Sequence, residues 1–126
     1  NAGVELILTE NAVEKADKKY AFRYIGYITE EGRNIKIYEC MDAYSPVKRN
    51  LLINTQERFK KALSLFYSDD FYLARNTFNE VLKENPDDKI ARWYLFNCEN
   101  ILNKTSEDEI GYGLFENRIY VQQYQN

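Results

Sequence analysis

The sequence predicts an α+β fold: a short N-terminal β-rich unit packed with a three-helix antiparallel bundle. Three observations predict it. Residues 20–41 are rich in aromatic and β-branched side chains and turn back on themselves around a glycine. Residues 59–102 instead carry apolar stripes at helical spacing, interrupted at Ser68-Asp69-Asp70 and at Asn85-Pro86. No Gly-, Ser- or Pro-rich linker separates the two patterns, and strands followed by helices is the order of α+β chains. The division this gives is residues 1–43, residues 44–104 and a tail, 105–126.

Each element has a local reason. Val4-Glu5-Leu6-Ile7-Leu8 reads as a short strand, and Thr9 is placed to cap a brief helix over Glu10–Ala16. Residues 20–28 and 34–41 read as a hairpin whose turn, 30–34, contains Gly32, a residue free to take positive φ. In the second strand Ile35, Ile37, Glu39 and Met41 alternate with Asn34, Lys36, Tyr38 and Cys40. Arg23 and Gly26 read as a salt-bridged strand residue and a bulge. Ser45-Pro46 starts the first helix, a capping side chain followed by a proline whose missing N–H costs nothing there. Phe59, Ala62, Leu63 and Phe66 form its stripe. Phe71, Ala74, Phe78, Val81 and Leu82 mark the second helix. Pro86 ends it, and Asn85 is placed to cap the third, with Asp87 and Asp88 near its positive end. Ile90, Ala91, Tyr94, Leu95, Cys98, Ile101 and Leu102 form the third stripe. In the tail, Arg118–Val121 reads as a short strand or an extended cover.

Composition narrows the function. The chain has 126 residues, 44% of them hydrophobic and 15% aromatic, enough for one domain or two small units sharing a core. There is no histidine, so this chain holds no Ser-His-Asp triad and no histidine metal site. The two cysteines, Cys40 and Cys98, make no CxxC and fit free thiols in a reducing cytoplasm. A net charge of -3 argues against nucleic-acid or anionic-membrane binding. No run approaches the roughly 20 apolar residues of a membrane span. Phosphate loops and calcium loops are missing from the sequence, and no nucleophile–base pair is spaced for catalysis. The acidic pairs read as helix caps and solvated turns. Asn1-Ala2 lacks an initiator Met and reads as a cloning scar, the natural chain continuing upstream; the alternative is a processed N-terminus.

Ala62, Phe71, Ala74, Phe78 and Pro86 follow one another at spacings of nine, three, four and eight. This pattern resembles the tetratricopeptide repeat, a unit of about 34 residues. The small residues let paired helices approach, and the aromatics fill the seam. Two positions depart from it: Asp69 stands where glycine is common, and Phe96 where the next repeat would place a small residue. The third helix then reads as a terminal cap. The resemblance implies a groove that binds a peptide or protein, with Lys60, Tyr67, Trp93 and Asn97 as groove residues by repeat register. For each of the four, core or solvated surface is the competing reading. The paired Lys and Asn residues that clamp a terminal carboxylate in chaperone-binding members are not evident.

Leu6-Ile7-Leu8-Thr9-Glu10, then Phe22-Arg23-Tyr24-Ile25-Gly26, Gly32-Arg33 and Ile37-Tyr38-Glu39 occur in that order. Together they resemble the last stretch of a class III adenylate/guanylate cyclase catalytic domain, over residues 4–10 and 20–42. The Lys-Gly-Lys turn common there is Glu31-Gly32-Arg33 here. Some bacterial cyclases are similar downstream, with a tetratricopeptide-like segment closing in Asn-Pro-Asp-Asp. The resemblance places the metal-binding aspartates, the purine-reading residues and the transition-state Asn and Arg upstream of Val4. It therefore implies no catalytic, cofactor or metal residue in this chain, the Mg or Mn belonging to the parent catalytic domain. The implied role is a non-catalytic regulatory or protein-interaction segment acting on the parent domain, a homodimer or another partner. A free-standing peptide-binding adaptor is the alternative.

Overall fold

Thr9 decides where the chain leaves its first strand. Its hydroxyl accepts the Ala12 N–H at 3.4 Å and so satisfies one of the orphan amides of the helix that follows. The computed structural model describes residues 6–104. The expected beginning of the first strand at Val4-Glu5, the Asn1-Ala2 reading and the whole tail lie outside the described residues. Within them the order is β1 (Ile7–Thr9), α1 (Glu10–Lys15), β2 (Phe22–Glu30), β3 (Arg33–Cys40), a 3-10 turn (Met41–Ala43), α2 (Pro46–Asn54), α3 (Gln56–Tyr67), α4 (Phe71–Glu84) and α5 (Lys89–Asn103). The class is α+β. The chain divides into two compact units, one ending at Arg49 and one beginning at Asn50.

In the first unit, three antiparallel strands lie in the order β1-β3-β2. The hairpin differs from the expected one. Glu30 pairs with Arg33, so the turn is only Glu31-Gly32, with φ of 52° and 77°. Positive φ at both central residues is what a two-residue hairpin needs to match strand twist. Glycine supplied half of that signal. Glutamate, which rarely adopts such a φ, hid the other half. Thr29 Oγ1 donates to Asn34 Oδ1 across the hairpin at 3.0 Å.

Gly26 has φ 122° at a register shift in β2, and this is the expected bulge. Arg23 lies directly opposite Glu39 and is only 3% exposed. Its Nε and NH2 both donate to Glu39 Oε1, at 3.0 and 2.6 Å. The Tyr44 hydroxyl donates to the other carboxylate oxygen, Oε2. Asp42 accepts the Ala21 N–H at 2.6 Å and lies 3.7 Å from Arg49, while the Lys48 ammonium sits 4.3 Å from the Tyr44 ring centroid. The chain leaving the sheet is thus tied back to it immediately before α2. Ser45 caps that helix, accepting the Lys48 N–H at 3.3 Å.

The stretch expected as the first of three helices is two, α2 and α3, which meet at Thr55. Thr55 is fully buried, and its hydroxyl donates to the Leu51 carbonyl at 2.9 Å. Such back-bonding competes with the regular ladder and bends a helix. Further on, Asp69 takes φ 67°, and Asp70 caps α4 by accepting the Leu73 N–H at 3.3 Å. Asparagine and aspartate are the usual substitutes for glycine in the left-handed region. Asp88, not Asn85, caps α5, accepting the Ala91 N–H at 3.1 Å. Asn85 instead ends α4, its N–H donating to the Val81 carbonyl at 2.8 Å. Its side-chain amide is buried with no hydrogen-bond partner among the described residues.

In the second unit α3 runs antiparallel to α4. Arg58 at the start of α3 reaches Glu84 at the end of α4 at 2.7 Å, while Phe66 meets Phe71 at the other end. Phe59, Ala62, Ala74, Phe78 and Val81 have no exposed surface. Leu102, expected in the third stripe, is exposed instead, because the buried face of α5 ends with Ile101.

The buried ion pair makes a testable case. Arg23→Met alone leaves the Glu39 carboxylate without its guanidinium and should cost about 3–5 kcal/mol in chemical denaturation. The double variant Arg23→Met/Glu39→Leu should lose much less than the sum of the two single losses.

Candidate protein-interaction surface

Aromatic rings hold α3, α4 and α5 together. Phe78 stacks on Tyr94 with centroids 5.2 Å apart and an interplanar angle of 4°. Phe59 meets Phe78 edge-on at 5.9 Å, and Phe66 meets Tyr94 edge-on at 5.0 Å. The hydroxyls of Tyr67 and Tyr94 are 2.7 Å apart, one donating to the other. Offset and edge-on ring pairs of this kind add about 0.5–1.5 kcal/mol each beyond their buried area.

The four residues expected on a groove fall into different surroundings. Tyr67, at the end of α3, and Trp93, on α5, are half-buried and both meet Tyr94, at 6.1 and 5.0 Å. Asn97 is buried, and its Nδ2 donates to the Trp93 carbonyl at 2.8 Å. Its amide is therefore engaged with its own helix. Lys60 is exposed, 3.9 Å from Glu57 on the preceding turn, a surface pair of little energetic weight. Lys60 and Tyr67 are seven residues apart and share one side of α3. The structure thus sets Tyr67 and Trp93 each against the Tyr94 ring, with Asn97 one turn beyond Trp93 and Lys60 two turns before Tyr67 along α3.

Sequence reasoning took Tyr94 for an apolar stripe residue and missed its hydroxyl. The available signal was the choice of Tyr over Phe, since a buried phenol needs a hydrogen-bond partner. The arrangement offers flat aromatic surface with a hydroxyl pair at its edge.

Cys40 and Cys98 are free and buried. Burial pushes the Cys98 thiol up from 9.0 to about 12, Glu99 adds to the rise, and Arg75 opposes it. Among the described residues no helix is long and apolar enough to cross a membrane. No family model, curated protein or solved structure matches this chain.

The raised thiol gives a signed pH effect. A group whose folded pKa lies above its unfolded value stabilises fully below the unfolded value and loses that contribution as the pH rises through the folded one. Denaturation midpoints should therefore fall between pH 9 and about 12, and Cys98→Ala should flatten that part of the curve.

Proposed function

We propose that this chain is the non-catalytic C-terminal regulatory and protein-interaction segment of a bacterial class III adenylate/guanylate cyclase, acting in the cytoplasm. On this reading the sheet is the end of the catalytic domain. The helices from Gln56 on are a tetratricopeptide-like module, α5 acting as its terminal cap. The observation that carries the reading is the α3–α4 seam. Ala62, Ala74 and Phe78, the small and aromatic positions of the repeat pattern, are each 0% exposed there. Two further features support it. Asp69 takes the left-handed conformation at the position where the repeat commonly has glycine. Strand, short helix and hairpin follow in the order of the cyclase-like motifs.

The mechanism is one of surfaces. Cyclase sites form between two catalytic domains, so a module beside the domain's end biases their pairing or recruits a protein that does. Tyr67 and Trp93 form the aromatic part of the binding surface, with Lys60 and Asn97 at its margins. Divalent metal and nucleotide belong to the parent domain upstream.

Joining residues 1–126 to a catalytic domain truncated just before them tests the reading. Cyclic-nucleotide formation and dimerisation should both change severalfold. No change in either contradicts the regulatory role. An upstream frame without paired aspartates and an Asn-x-x-x-Arg element would favour the free-standing adaptor.

A further inference from the structure

Helix α5 carries a second pattern besides its buried one. Ile90, Ala91, Tyr94, Asn97, Cys98 and Ile101 face the core of their unit. Arg92, Phe96 and Glu99 recur at i, i+4 and i+7 and form a separate, exposed stripe. Phe96 is 59% exposed, and Leu102 beside the end of the stripe is 39% exposed. Phe96 thus stands exposed between two charges of opposite sign on one face of the helix.

The charges decide which partner fits. Arg92 lies four residues before Phe96, and Glu99 three residues after it. When two copies of this stripe cross antiparallel, with the two Phe96 rings at the centre, Arg92 of each copy faces Glu99 of the other. A parallel crossing would set Arg92 against Arg92 and Glu99 against Glu99. The stripe is thus complementary to itself in one orientation only, which is the requirement for a two-fold, isologous contact. Each cross-copy pair then occurs twice by symmetry.

We infer that the exposed Arg92–Phe96–Glu99 face of α5 is a self-association site that takes a second copy of this chain in antiparallel register. One helix face is small for a stable interface, so the dimer is weak and reversible. Arg92 also donates to the Pro86 carbonyl at the corner before α5, so the cross-copy pair forms in competition with that bond. The inference rests on α5 alone and stands whether or not the cyclase reading holds.

Sedimentation equilibrium of the full chain at increasing concentration is the test. The wild type should move from monomer toward dimer. Phe96→Ala and Glu99→Arg should each raise the dissociation constant about tenfold, a loss of about 1.4 kcal/mol. The double charge swap, Arg92→Glu with Glu99→Arg, should restore dimerisation to within a factor of about three. Circular dichroism of each variant checks that α5 is intact. Glu99→Arg keeps the test decisive if Arg92→Glu loosens the Pro86 corner. A chain that stays monomeric at every concentration overturns the inference. So does a dimer indifferent to Phe96→Ala, or a double swap no better than the single changes.

Discussion

One buried ring, Tyr94, joins three helices of the second unit, α3, α4 and its own α5. It stacks on Phe78 of α4, meets Phe66 and Tyr67 of α3 edge-on, and stands beside Trp93 on its own helix. Its hydroxyl closes onto Tyr67. Three short helices with brief connections cannot each bury a stripe alone, and isolated helices of this length are marginal in water. The seam around Tyr94 lets the three share one core. It also fixes what remains outside: half of Tyr67, half of Trp93, and the opposite stripe of α5 with Phe96.

The first unit meets its constraint by other means. A guanidinium at 3% exposure requires a charged partner in good geometry, and Glu39 stands directly across the ladder from Arg23. A one-residue slip in the hairpin would separate them, so the pair specifies register more than it adds stability. The bulge at Gly26 and the two-residue turn at Glu31-Gly32 are compatible with that register. Through Tyr44 and Asp42 the same corner holds the start of α2.

Much of the architecture was legible from residue patterns. The stripes named the seam residues Phe59, Ala62, Phe66, Ala74 and Phe78 because packing repeats with the helical period. Pro86 and the aspartates marked helix ends through simple capping chemistry. Arg23 and Gly26 were read as an ion pair and a bulge, and that is what they are. The misses share a cause: each depends on a competition that local pattern does not reveal. Thr55 breaks a helix by bonding its own backbone. Glu31 accepts a positive φ that the hairpin imposes. Asp88 takes the cap that Asn85 could have taken, and Asn97 spends its amide on Trp93. Tyr67 and Trp93 were expected on a groove from repeat register alone, and both lie half-buried. Tyr94, which positions both, was concealed as one more apolar residue in a stripe.

The account makes the helical unit one cooperative body organised on a single ring. Native-state hydrogen exchange of Tyr94→Ala measures this directly. Removing the ring should lower amide protection in α3, α4 and α5 together and by similar amounts, since all three lose the same shared core. Loss confined to α5, with α3 and α4 still protected as in the wild type, would contradict it.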